Sequence, residues 1–188
     1  MIRDAAPRDE GLAVQRARDG DAEAFRLIFE LHAPAVRRFL GDLLRDRPAA
    51  DEATQETFVR AHARLKSLRE DEKLGAWLFG IARMVSLESH RARRFEVVPE
   101  DGESAPAGGP IDPERLLLSA EAHQAYQRAL EVLAADRRAA LLLRVDHGLG
   151  YDEVAGVMGW TLPKVKNEIH RARLQLREAL SGYLPEAS

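Results

Sequence analysis

The chain has 188 residues and a formal net charge of −3, long enough for one ordinary domain or two small ones. It has no cysteine, which excludes disulfides, thiolate metal sites and a thiol-based sensor, and its opening "MIRDAAPRDEG" lacks an apolar signal core. No apolar run approaches a membrane span, and alanine, leucine, arginine and glutamate dominate over β-branched and aromatic residues, so the expectation is a soluble intracellular all-α protein without membrane insertion.

In chain order, a first helical region extends over residues 10–95. Asp21, just after Gly20, is placed to cap a helix over "AEAFRLIFELHAPAVRRFLGDLL", where Phe25, Ile28, Phe29, Val36, Phe39, Leu40 and Leu43 recur at three- and four-residue spacing and Pro34 marks a point of bending. A second helix is expected to begin near Asp51 in "DEATQETFVRAHARL". Its apolar residues are Ala53, Phe58, Ala61 and Leu65, and Asp51, Glu52, Gln55 and Glu56 lie in its first turns, where acids suit the helix dipole. The polar segment "KSLREDEKLG" then breaks the pattern and reads as a loop.

The third helix resumes in "AWLFGIARMVSLESHRARR". At 100° per residue Leu78, Ile81, Ala82, Val85 and Ala92 share a core stripe, Arg83, His90 and Arg94 fall opposite, and Trp77, Met84, Glu88 and Arg91 lie between. Positive charge on an exposed helix is usually only a solvated face, so this cluster does not by itself specify a polyanion. Residues 96–115 concentrate proline, glycine and acids without apolar periodicity and read as a flexible linker.

Helical periodicity returns over residues 116–184. Within it, "LGYDEVAGVMGWTLPKVKNEIHRARLQLREAL" has the grammar of a helix-turn-helix: a short helix over about Asp152 to Met158, a turn at Gly159, and a second helix after Thr161, a capping residue, with Pro163 in its first turn. Leu162, Val165, Ile169, Ala172 and Leu176 form the stripe to be buried. Lys166, His170 and Arg173 then lie along one flank, and Lys164, Asn167 and Arg171 point away from the core. The ammonium and guanidinium groups suit phosphates, while an amide, an imidazole and a guanidinium can read base edges in a major groove. Only Glu168 and Glu178 are available to pair with these bases, and unpaired excess favours an anionic partner.

Taken together, these stretches resemble the extracytoplasmic-function group of bacterial RNA polymerase sigma factors. "DAEAFRLIFELHAPAVRRF", "ADEATQETFVRAHARL", "GAWLFGIARMVSLESHRARR", the Pro/Gly linker and "LAADRRAALLLRVDHGLGYDEVAGVMGWTLPKVKNEIHRARLQLREAL" occur in that family's order and spacing, from about Gly20 to Leu180. The resemblance implies a sigma2-like domain (10–95), a linker and a sigma4-like domain (116–184) that bind core RNA polymerase and promoter DNA, with no chemistry, metal or cofactor of their own. Asp51, Glu52, Gln55, Glu56 and Phe58 match the family's polymerase-docking helix; Phe58 is an anchor there if exposed and ordinary core if not. The loop containing Lys66, and the helix carrying Trp77, Arg83, Met84, His90, Arg91, Arg93 and Arg94, match the segments that read and melt the −10 element, where a flipped base enters a pocket. Lys164, Lys166, Asn167, His170, Arg171 and Arg173 match the reader of the −35 element.

Two departures stand out. The family usually has Asn where this chain has Met84 and Asp where it has Glu88, and a basic residue is common at the position of Glu168, a carboxylate that repels phosphates but accepts from cytosine N4 if aimed at a base. The acidic linker is either a mimic of a displaced strand in the polymerase channels or a plain tether. The resemblance also implies an anti-sigma partner, and the ending "SGYLPEAS" carries the expectation of no further sensing domain. Two other classes compete with this reading. A response-regulator-type DNA binder needs a βαβ receiver that the first half lacks. An enzyme needs a grouping that the scattered His32, His62, His90, His123, His147 and His170 do not supply.

Overall fold

The computed structural model of the chain describes residues 7–69, 73–95, 121 and 124–181. The chain divides into two compact units, residues 1–100 and 101–188. Among the described residues every regular element is helical and no helix is long and apolar enough to cross a membrane.

Unit 1 begins with α1 (Pro7–Arg18) and α2 (Ala22–Leu44). Gly20, at φ +95°, makes the break between them, a backbone region that glycine enters without the Cβ clash. Asp21 caps α2 by accepting from the N–H groups of Glu23 (3.0 Å) and Ala24 (3.2 Å). Those backbone bonds, led by that of Ala24, and the Arg16 guanidinium at 2.6 Å hold the Asp21 carboxyl below its ordinary range. The helix continues through Pro34 and ends at Arg45, whose left-handed φ of 56° turns the chain.

The helix expected to begin near Asp51 starts four residues earlier than its periodicity indicates. Asp46 caps it through the Ala49 N–H (2.9 Å), and Pro48 sits in its first turn, so α3 spans Arg47–Arg64. Asp51 therefore lies in the second turn, beyond the N-terminal end it was expected to stabilise. Apart from Phe58, the buried face of α3 is built of small side chains: Ala49, Ala50, Ala53, Thr54, Thr57 and Ala61. The two threonine hydroxyls return to the carbonyls of Ala50 (2.6 Å) and Ala53 (2.7 Å), so no polar group is left unpaired on that face. Such a face lets α3 pack against both α2 and α4 (Leu74–Phe95), around Ile28, Val36, Phe39, Leu40, Leu74, Leu78 and Phe79. Phe39 and Phe79 meet edge to face at 5.3 Å.

Two expected core residues of unit 1 lie elsewhere. Phe29 is 38% exposed on α2, and Ala92 is exposed because the buried stripe of α4 has ended at Val85 and Ser86 and its neighbours His90 and Arg91 already face solvent.

In unit 2 a helical segment over residues 124–131 (α5) precedes α6 (Ala135–Val145), α7 (Tyr151–Met158) and α8 (Leu162–Ala179). Leu130, Leu133, Leu141, Leu142 and Leu143 meet Val154, Met158, Val165, Ile169 and Ala172 in its core. The Gly150 N–H donates to Glu153 (2.7 Å), fixing the start of α7, and Gly159 at φ +65° ends it. Thr161 occupies the cap position of α8 with extended backbone, yet its hydroxyl makes no capping bond. The buried stripe of α8 begins at Val165; Leu162, expected in it, is 41% exposed in the first turn, ahead of the contact with α7.

A Cβ at position 159 meets no neighbouring atom, so the backbone conformation alone opposes a side chain there. Gly159→Val is expected to destabilise unit 2 by about 1–2 kcal/mol, the left-handed penalty of an L-residue, lowering its thermal midpoint by several degrees in a calorimetric melt.

Candidate functional site

Three surfaces carry the residues singled out from the sequence. On α8, burial of Val165, Ile169, Ala172 and Leu176 turns Lys164, Lys166, Asn167, His170, Arg171 and Arg173 outward, and all six are exposed. Lys164 stands over the ring of Trp160 at 4.4 Å, a cation–π contact that tethers this ammonium beside the turn. Arg171 is 61% exposed and reaches one Glu168 oxygen at 3.4 Å.

Glu168 itself is turned inward. Its other oxygen accepts from Arg137 Nε of α6 at 2.7 Å, and Arg137 also donates to Gln175 Oε1 at 2.8 Å. Both partners of this ion pair are only about a fifth exposed. Glu168 is therefore a link between α6 and α8, and the base-edge role left open for it gives way to this contact. Sequence reading missed Arg137 because it lies 31 residues from Glu168 and only tertiary packing joins them.

The second surface is α4 with the chain that leads to it. Arg18 of α1 donates to the carbonyls of Leu65 and Leu68, the first residue of the 3-10 turn Leu65–Ser67 and the residue that follows it, and this turn exposes Lys66. Residues 70–72 of the expected −10 loop lie outside the described residues, as do the side chains of Arg93 and Arg94. Met84 is half exposed, Trp77 and Arg83 are partly buried, and His90 and Arg91 are exposed. Arg83, expected on the side opposite the core, is thus drawn partly into the structure. Glu88 is gripped by Arg60 of α3 in two parallel bonds, Nη1 to Oε1 at 3.0 Å and Nη2 to Oε2 at 2.7 Å. Arg60 Nε also donates to Glu56 one turn back at 2.6 Å. These bonds hold the Glu88 carboxyl below its ordinary range and push the Arg60 guanidinium up.

The third surface is the outer face of α3. Glu52 and Gln55 are exposed; Asp51 is tied to Arg37 of α2, with Oδ2 accepting from Nη2 at 3.0 Å, and Glu56 is held by Arg60. Phe58 is 4% exposed, so the core reading of that residue holds and it does not project as an anchor. It stacks edge to face on Phe29 at 4.8 Å and floors an open apolar groove with Phe25, Phe29, Gln55, Val59 and His62. The groove's exposed apolar side chains are Phe29 and Val59, the latter 63% exposed. Val59 carried a signal in the sequence, an aliphatic residue off the buried stripe of α3. Among the described residues no cluster of His, Asp or Glu is placed to hold a metal ion.

A depressed folded-state carboxyl contributes stability that is present above its unfolded titration and lost as pH falls through the folded one. Glu88→Gln is therefore expected to weaken unit 1 slightly at pH 7 and to match the parent at pH well below the ordinary carboxylate range, as read by urea melts at the two pH values.

The sigma-70 region 2 family model matches residues 28–96, and the sigma-70 region 4 model matches residues 123–176. The chain is 34% identical to the ECF RNA polymerase sigma factor SigE of Mycolicibacterium smegmatis, across 97% of this chain and 73% of that protein. It is 32% identical to the ECF RNA polymerase sigma-E factor of Salmonella typhimurium, across 85% of this chain and 88% of that protein. Among solved structures, the sigma factor RpoE from Bartonella quintana, in complex with the anti-sigma factor NepR, matches with a TM-score of 0.71 at 29% identity, covering 85% of this chain and 98% of that one.

Proposed function

Because this chain belongs to the extracytoplasmic-function RNA polymerase sigma factors, we propose a division of labour among its surfaces. The protein is an alternative sigma factor that binds core RNA polymerase and directs promoter-specific initiation. Residues 10–95 act as the polymerase-binding and −10-reading domain, residues 96–115 as the tether, and residues 116–184 as the −35-reading domain. The protein works in the cytoplasm, and the phosphodiester chemistry belongs to the polymerase.

The observation that carries this reading is the outward cationic face of α8, mounted on a buried stripe behind a tight turn. Lys164, Lys166 and Arg173 take phosphates, and Asn167, His170 and Arg171 take base edges in a major groove. Lys66, Trp77, Arg83, Met84, His90, Arg91 and Arg94 line the path of the −10 strand. Met84 offers no amide hydrogen bonds there, so its contribution is apolar contact with a base. Glu52, Gln55 and the groove floored by Phe58 form the polymerase-docking face, with Phe29 and Val59 as its apolar contacts; an exposed apolar patch with a polar rim fits a protein partner. An anti-sigma protein that covers such faces is the expected inhibitor, as the complex of the Bartonella relative with NepR illustrates.

The purified chain is expected to co-elute with core polymerase and to start transcripts at sites sharing two upstream elements, found by start-site mapping after overexpression. Tight duplex binding without initiation by the reconstituted holoenzyme would return the protein to the class of operator-binding regulators. Lys166→Ala with Arg171→Ala should lower holoenzyme affinity for a mapped promoter about tenfold or more, flatten its salt dependence by about the one phosphate contact of Lys166, and relax base preference where Arg171 reads. Val59→Glu, which buries no charge in the free protein, should weaken core-polymerase binding about tenfold, by the roughly 1–2 kcal/mol of a truncated apolar contact, and leave the thermal midpoint unchanged.

A further inference from the structure

The N-terminal half of α8 carries one acid among its bases. Glu168 is flanked along the helix by Lys164, Lys166, Asn167, His170 and Arg171, so its carboxylate shares the turns assigned above to DNA. A carboxylate there lies within a Debye length of any phosphate those bases engage and opposes binding. Two guanidinium groups reach it, and they differ in kind. The Arg171 contact is long, 3.4 Å, and belongs to a side chain that is 61% exposed, so water and salt screen it. The Arg137 contact is 2.7 Å, both partners are mostly buried, and a second bond to Gln175 fixes the guanidinium in place. The inward pair therefore governs where the negative charge of Glu168 is spent.

We propose that Arg137, on α6, is a positioning and charge-masking residue for promoter binding: it draws the Glu168 carboxylate toward α6 and neutralises it, so that α8 presents an uninterrupted cationic face. The inference rests on the −35 reading of α8 and extends it to a residue outside the helix-turn-helix. Arg137 and Glu168 act as one unit whose net charge is zero.

The test is a double-mutant cycle on holoenzyme bound to a mapped promoter fragment, with Lys166→Ala/Arg171→Ala as the reference for the α8 reading. Arg137→Gln keeps a hydrogen-bonding side chain beside Gln175 but removes the charge. It is expected to lower promoter affinity about three- to tenfold and to reduce the salt slope by about one contact, comparable to losing one phosphate partner. Arg137→Gln/Glu168→Gln should restore affinity to within about twofold of the parent, and Glu168→Gln alone should not weaken binding. Core-polymerase affinity stays constant throughout. A double variant as weak as Arg137→Gln, or an Arg137→Gln variant that binds like the parent, overturns the proposal. If the Lys166/Arg171 reference variant also binds like the parent, the failure lies with the −35 reading itself. Thermal midpoints of the same variants separate masking from unfolding: a loss of affinity that follows the midpoint, and is not recovered in the double variant, assigns Arg137 a purely structural role and overturns the masking.

Discussion

Arginine–carboxylate pairs between neighbouring helices set the register on which each outer surface depends. Arg37 joins α2 to Asp51 of α3, Arg60 joins α3 to Glu88 of α4, and Arg137 joins α6 to Glu168 of α8. Apolar burial supplies the attraction that holds such small units together, but it is non-directional and tolerates small rotations of a helix. A guanidinium fork engaged at two points does not, because its bonds require a defined approach. Each pair lies at the border between core and solvent, where the charges remain partly hydrated and the desolvation penalty stays moderate. Placed there, they contribute more to the orientation of a surface than to the stability of the fold.

The same pairs account for the gap between the charge of the chain and the charge of its surfaces. At −3 overall the protein is mildly acidic, yet α8 presents its bases outward and keeps its central acid on the inner side. On α3 the arrangement is reversed: Asp51 and Glu56 are engaged by arginines, and Glu52 and Gln55 are left exposed beside the apolar groove. Sign is thus sorted locally, helix by helix, and the sum over the sequence carries little of that information.

Much of the architecture was legible from spacing alone. Period and capping chemistry placed α2 at its observed bounds, because Asp21 offers the oxygen that two free N–H groups need, and Gly159 announced its turn because other residues resist a left-handed φ. The start of α3 lies ahead of its periodicity, since Asp46 and Pro48 precede any apolar repeat and the cap stands in the sequence without the pattern that draws attention to it. Phe29 and Leu162 fit the apolar spacing of their helices but lie at the margins of their packing faces, where the period does not distinguish core from groove. Least legible were Arg18, Arg60 and Arg137. Their partners are 28 to 50 residues distant, and an arginine bound for a partner on another helix has the same local context as one bound for solvent.

Arg18 ties the N-terminal helix to a bend far along the chain. Its guanidinium supplies the donors for the carbonyls of Leu65 and Leu68, so the turn that displays Lys66 is clasped by the N-terminal helix, nearly fifty residues earlier in the chain. A cut just ahead of α2 that released α1 would leave the Leu68 carbonyl to water and the Leu65 carbonyl with only the Leu68 N–H, and would uncover the face on which Val14 and Ala17 are buried. The first helix is thus both a clasp on a distant bend and, through Val14 and Ala17, a part of the interior of unit 1.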